Sequence, residues 1–475
     1  MLSEINPELY TTVESVKTVL LKLNNNGLTS VVIVSNTGQF LKVVGDGDIR
    51  RFLSGGGDLK DLITLVKVPE EQKIVQLPVN RSEVAKIFSS QSNIRLIPVV
   101  DSDGMLRNII TEKSFEKSIP VSQPKLTEIE INNCTSALAD NWISSQGKFI
   151  NDFEAKISDD IGGKAVCVSN GTVAIELSIK ALNLGDGKKI GVPNFTFGAT
   201  VNAILNAGSI PVLLDVCPVT WKVNINEDEL VALNLDGIIL VNIYGLSYRK
   251  DEISFFKLHC NKLIIDSAEA VRKNIFKDDE YSDAMTFSFF ANKILTTGEG
   301  GAVVFRDHEV KNKAKVLRDH GMDIKRRYWH VKVGSNYRMT NLQAAIGLGQ
   351  LQRIDSILEE RKLIFDRYNV HFDNSDIINN KNMASGVSPW LYTITLDDKI
   401  NVNSLLNFLS AHLIEAREIF YPMSLMEIFK PYKYKTSYIS EELLSSGICL
   451  PTFNGLSLKD VDKISNKIVR FLENE

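Results

Sequence analysis

The chain has 475 residues, 44% hydrophobic and 24% charged, which is ordinary for a soluble globular protein and long enough for two or more domains. A formal net charge of -4 argues against a polyanion-binding surface. Cys134, Cys167, Cys217, Cys260 and Cys449 contain no C-x-x-C pair, and the six histidines show no ligand spacing, so neither a disulfide framework nor a metal site is indicated. No basic-then-apolar leader opens the chain, and no apolar run approaches the roughly 20 residues of a membrane span. The expectation is a cytoplasmic protein that engages neither nucleic acid nor membrane.

The first 120 residues carry a weak internal repeat. VVIVSNTG (31–38) is answered by IPVVDSDG (97–104), and each lies between helix-period segments in the order helix, strand, Gly turn, strand, helix. These halves resemble CBS domains, which pair into modules that often bind adenosine nucleotides. The resemblance covers about residues 5–118 and makes such a nucleotide a candidate ligand. GDGDIRR (45–51) is similar to the ribose-holding stretch, with Asp48 as its carboxylate, although Gly45 replaces the usual hydroxyl residue. In the second half Thr111 is present and Ser114 stands in place of the acid. A structural or subunit-pairing role is the other reading.

Residues 118–133, with two prolines, read as a linker. Beyond it helical stretches alternate with short β-branched runs (KAVCVSN, KKIGVPNF, IPVLLDV, DGIILVNIYG, NKLIIDSAEA, AMTFSFF, GAVVFRD), the rhythm of an α/β domain with a mainly parallel sheet. After about residue 355 a long helical pattern and mixed elements predict a smaller C-terminal subdomain. Ligands of open α/β sheets sit at the carboxyl ends of strands, so the residues just after each run carry the interest.

Four such places combine. Gly171 and Thr172 open a helix after KAVCVS, a seat for phosphate, though Asn170 and Thr172 serve equally well as plain caps. Phe195 and Phe197 follow IGVP and are either core or a stacking face. Asp266 emerges from LII, either an N-cap or a partner for a protonated ring nitrogen. Lys293 interrupts the apolar run SFFANKILTTGEGGAVVF (288–305), where an amine is costly unless paired or used in chemistry. A phosphate seat, an aromatic face, one acid and one lysine, in this chain order, are what pyridoxal 5'-phosphate requires.

Residues 125–475 resemble the DegT/DnrJ/EryC1 family of sugar aminotransferases. The landmarks are WISSQGKFINDFE, VSNGTVAIELSIKAL, PNFTFGATVNAI, IIDSAEA, SFFANKILTTGEGGAVV, GSNYRMTNLQAAIGLGQL and CLPTF. The resemblance implies a fold-type I pyridoxal phosphate transferase, with a large mainly parallel domain at 125–355 and a small α/β subdomain at 356–475, behind a CBS pair at 1–120. It makes Lys293 the lysine that carries the cofactor and Asp266 the ring-nitrogen partner. Phe197 becomes the stacking face and Glu269 a neighbour of the ring substituents. Gly171, Thr172 and Ser288 hold the phosphate, and Asn336 reaches the site from the other subunit of a homodimer. It further implies a nucleotide-linked 4-keto-6-deoxy sugar as substrate, met by Ser144, Ser145, Lys148 and Arg417, with glutamate as amino donor and a product destined for surface polysaccharide or glycan. Glu418 departs from the usual proline after that arginine. Two other readings are a sugar dehydratase, whose relatives replace the lysine, and a non-catalytic nucleotide sensor. Intact Lys293, Asp266 and Ser288 argue against both.

Overall fold

The computed structural model describes residues 5–90, 94–373, 378–380, 387–397 and 399–473. Two compact units emerge: Met1–Pro120 with Asn403–Ala416 and Lys467–Glu475, and Val121–Val402 with Arg417–Asn466. The first segment ends at Pro120, where the sequence places its first boundary, and two late segments fold with that unit. Among the described residues no helix is long and apolar enough to cross a membrane.

The first unit repeats one design. Strands β1 (Tyr10–Thr11), β2 (Ser30–Val34) and β3 (Phe40–Gly45) form one sheet, and β4 (Val75–Gln76), β5 (Leu96–Val100) and β6 (Leu106–Thr111) form another. In each sheet the first pair is parallel and the second antiparallel. Both antiparallel pairs shift register near the end of the central strand, at Ile33/Val34 and Val99/Val100. The repeat extends to the helix that follows each sheet. Asp48 reaches back to the Gly45 amide at 2.8 Å, and Ser114 Oγ accepts from the Thr111 amide at 2.8 Å. Each thereby satisfies an otherwise orphaned donor at a helix start. Asp48 also pairs with Arg51, so both of its oxygens are engaged inside its own helix.

The late segment joins this unit by backbone. Ile119 donates to Leu413 O at 2.8 Å, Glu415 donates back to Ile119 O at 2.9 Å, and the Val79 amide donates to Ser410 Oγ at 2.7 Å. Leu413 packs on the apolar cluster of Val75, Val84, Ile97, Val99 and Ile110.

The second unit is built on seven strands: β7 (Lys164–Val168), β8 (Lys189–Pro193), β9 (Ile210–Leu214), β10 (Gly237–Val241), β11 (Lys262–Asp266), β12 (Ala284–Ser288) and β13 (Gly301–Phe305). Their spatial order is β7-β13-β12-β11-β10-β8-β9, with β13 alone antiparallel to its neighbours. Alternation assigns the two faces of the sheet to two cores. Ile238, Leu240, Leu263, Ile265, Met285 and Phe287 enter one, while Ile239, Ile264, Ala284, Val303 and Phe305 enter the other. Helices close both faces: Lys148–Asp160 and Asn341–Gln352 contribute to the first core, Gly171–Ala181 and Gly198–Asn206 to the second. A second, antiparallel sheet runs β14 (Ile378–Asn380), β15 (Tyr392–Leu396), β17 (Gly447–Leu450), β16 (Arg417–Glu418).

Candidate active site

The carboxyl ends of β7, β8, β10, β11 and β12 deliver the groups that the sequence singled out. After β7 the chain caps a helix: Asn170 accepts from the Val173 amide at 2.9 Å, and Gly171 begins the first turn. Gly171 lies against the end of β12 so closely that a Cβ there would stand 2.8 Å from Ser288 Cβ and 3.1 Å from its Oγ. A bare helix start beside a hydroxyl is a ready anion seat, with Thr172 in the same turn.

Asp266 ends β11 and is 4% exposed. It accepts from Thr200 Oγ1 at 2.9 Å and from the Ala268 amide at 3.1 Å. Three residues on, Glu269 is equally buried and accepts from the Tyr244 amide at 2.6 Å. Lys293 Nζ lies 3.5 Å from Glu269 Oε1 and 3.8 Å from the centre of the Trp390 ring. Ser267, Glu269, Ser288 and Lys293 line one small cavity. Phe197, at the start of the helix that carries Thr200, leaves 59% of its surface exposed and meets Phe420 at 5.4 Å between ring centres.

Burial governs the titration of this cluster. It pushes the Asp266 carboxyl up, against the pull of Thr200, the Ala268 amide and Lys293. It takes Glu269 to about 7, again opposed by Lys293 and the Tyr244 amide. It pulls the Lys293 amine down, against the attraction of Glu269 and Asp266. A lysine in this state gives up its proton more readily than an exposed one, which suits it to proton transfer.

The remaining expected residues occupy other places. Ser144 is exposed and its carbonyl accepts from the Asn341 amide at 2.6 Å, while Ser145 is half-buried and Lys148 exposed at the start of its helix. Asn336 bridges to Asp319 and accepts from Arg338 Nε at 2.9 Å. Arg417 is exposed on β16, paired across to Cys449 on β17. Three site residues were not singled out from the sequence. Thr200 stood in the quoted PNFTFGATVNAI run without a role, Tyr244 lay within the run DGIILVNIYG, and Trp390 stood at the start of a mixed C-terminal stretch. Only a three-dimensional neighbour gives any of them meaning.

The sheet order, with a buried lysine and acid at its carboxyl edge and a bare helix start beside Ser288, defines a fold-type I pyridoxal phosphate-dependent transferase. Residues 124–469 match the model of the DegT/DnrJ/EryC1/StrS aminotransferase family, and residues 72–120 match that of the CBS domain. The chain belongs to the DegT/DnrJ/EryC1/StrS aminotransferase family and is a pyridoxal phosphate-dependent aminotransferase with an N-terminal CBS module. It is 34% identical over 360 residues to GDP-perosamine synthase of Escherichia coli O157:H7, covering 75% of this chain and 99% of that protein. It is 33% identical over 361 residues to the putative pyridoxal phosphate-dependent aminotransferase EpsN of Bacillus subtilis, covering 72% and 93%. Among solved structures, the pyridoxal phosphate form of the putative sugar aminotransferase Spr1654 from Streptococcus pneumoniae superposes with a TM-score of 0.68 at 26% identity, covering 75% of this chain and 99% of that one.

The residues present fit the cofactor. The space at Gly171 is one that a Cβ would fill, and it adjoins the Ser288 hydroxyl. Two buried carboxyl groups, Asp266 and Glu269, face the single amine of Lys293 in this cluster, so a further positive charge on a ring nitrogen meets a ready partner.

Proposed function

We propose that this enzyme transfers an amino group from glutamate to the keto carbon of a nucleotide-linked 4-keto-6-deoxy sugar, in the cytoplasm, for surface polysaccharide or glycan synthesis. The observation that carries the reading is the buried amine of Lys293 between Glu269 and Asp266 at the strand ends. Its setting in a chain that spans almost the whole of GDP-perosamine synthase supports the substrate class. In this reading Lys293 bears the cofactor and, when free, carries a proton between carbon atoms, a task its depressed pKa suits. Asp266 holds the ring nitrogen, and Gly171, Thr172 and Ser288 hold the phosphate. Phe197 offers its exposed face to the ring, and Glu269 keeps the amine in place. Bound pyridoxal phosphate supplies the electron sink that lets a proton leave the amine-bearing carbon. Ser144, Ser145, Lys148 and Arg417 meet the sugar nucleotide.

A homodimer with shared sites belongs to the same reading, Asn336 entering the partner's site. The stretch that leads to Asn336 supports it, since Ile324, Tyr328, Trp329, Val331 and Val333 are all exposed, Val333 to 96%. Apolar surface of that kind calls for cover. At the CBS module an adenosine nucleotide remains the proposed ligand, and it would have to compete with Arg51 for Asp48.

The test is an assay of GDP-, UDP- and dTDP-linked 4-keto-6-deoxy sugars with glutamate, following 2-oxoglutarate. Turnover of one of them, lost in Lys293→Ala, is the expected result. Absence of turnover on every member of the panel by protein loaded with cofactor would overturn the substrate assignment.

A further inference from the structure

Trp390 is 2% exposed and lies on the approach to β15. Its indole Nε1 donates to Asn292 O at 2.8 Å, which fixes the ring beside the residue that precedes Lys293. The ring face is thereby turned to the lysine, whose Nζ stands 3.8 Å from the ring centre. The other side of the arrangement is a stack: Trp390 lies 5.7 Å from Tyr244 at 18° between planes, and Tyr244 lies 4.9 Å from Phe420 at 26°.

Tyr244 is the pivot. Its backbone takes φ 49°, a left-handed conformation that a bulky side chain adopts only when its surroundings hold it. Gly245 follows at φ 86°, and a Cβ there would stand 2.0 Å from Ser388 O, so the glycine lets the chain leading to Trp390 pass close by. From this one turn Tyr244 sends its amide to Glu269 and its ring to Trp390, and its hydroxyl accepts from the Phe420 amide at 2.9 Å. One residue therefore orients both neighbours of the lysine amine.

We propose that Trp390 is a positioning residue for Lys293, its indole face holding the free amine opposite Glu269. An ammonium over an indole face is attracted by the ring quadrupole, most strongly when water is excluded. The carboxylate alone fixes a distance, whereas carboxylate and ring together fix a direction. When the amine is free during turnover, it stays aimed instead of swinging among rotamers. The charged groups that face it are Glu269 and Asp266, and the nearby Tyr244 and Cys449 are held neutral by burial. The role in turnover rests on the reading of Lys293 as the cofactor lysine, while the hold on the amine does not.

The test uses the full chain freed of cofactor. Acylation of Lys293 by acetic anhydride is followed against pH by mass spectrometry, with exposed lysines of the same sample as reference. Loss of the ring attraction disfavours the charged amine, so Trp390→Leu lowers the Lys293 titration by about one pH unit, and Trp390→Phe by less. In the loaded enzyme the same variants move the limb of the kcat pH profile that belongs to the lysine. A Lys293 titration unchanged or raised in both variants overturns the proposal, even if thermal stability drops. Should the leucine variant not fold, the phenylalanine variant carries the decision. Borohydride reduction and peptide mapping of the loaded wild type test the cofactor lysine separately. A label on another residue would sink that reading whatever the titration shows.

Discussion

Gly171→Ala probes the proposed phosphate seat with a single methyl group. The backbone at 171 is helical and poses no strain for alanine, and helix propensity alone would favour the change by up to about 1 kcal/mol. Space decides against it. The new Cβ would stand 2.8 Å from Ser288 Cβ and 3.3 Å from its Cα, neither of them the end of a flexible side chain. Either the helix start or the end of β12 must shift, at an overpacking cost of about 1–3 kcal/mol. Because both surfaces form the proposed seat, the shift that relieves the clash also misplaces the groups meant for the phosphate, and a penalty of that size in the bound state corresponds to a loss of roughly 5- to 150-fold in cofactor affinity. The measurement is equilibrium titration of cofactor-free protein with pyridoxal 5'-phosphate, followed by its visible absorbance. Ser288→Gly removes the opposing Cβ, so the double variant Gly171→Ala/Ser288→Gly binds more tightly than the sum of the two single losses predicts. Wild-type affinity in Gly171→Ala, or strict additivity in the double variant, would refute the argument that these two residues bound one seat.

Three further outcomes follow from the same cluster. Glu269 titrates at about 7 in the fold against an ordinary 4.5, so between those values the unfolded chain releases a proton that the folded chain keeps, and stability falls as pH rises, by about 3 kcal/mol in all. Glu269→Gln removes that fall, and urea unfolding of cofactor-free protein at pH 5 and pH 8 reads it as a smaller difference between the two pH values. Asp266→Asn retains the bonds that a carbonyl oxygen can accept but not the charge, so cofactor binds while kcat drops about 10²- to 10⁴-fold; an undiminished kcat would point to another acid. Tyr244→Phe strips the Phe420 amide of its acceptor and costs about 1–3 kcal/mol of stability, measured by thermal unfolding against wild type.

The parallel sheet was legible because its strands are short β-branched runs, and the residues at or just after the ends of β7, β11 and β12 carry polar or reactive groups. The sites after β7, β11 and β12 could be named in advance on that ground, Gly171, Asp266 and Lys293 among them. Their convergence was not legible from periodicity, and the family resemblance supplied it. Tyr244 and Trp390 escaped for a physical reason. Aromatic residues at strand ends are usually core, and only a left-handed turn 146 positions before Trp390 turns its ring toward the lysine. Asp48 carries a second role that its sequence pattern did not show: beside the ribose contact the pattern suggests, its two oxygens meet the Gly45 amide and Arg51.

The sharing of Asn403–Ala416 with the first unit has a practical side. A shortened chain beginning at Val121 would look like a clean excision in sequence, because it starts just before the 124–469 family match. It would instead strip Leu413 and Glu415 of the backbone partner they share at Ile119, and uncover Leu413 from the cluster around Val75 and Ile97. The very next residue, Arg417, opens the strand that pairs with Cys449. Removing the first 120 residues thus loosens a segment of the same unit nearly 300 residues downstream of the cut.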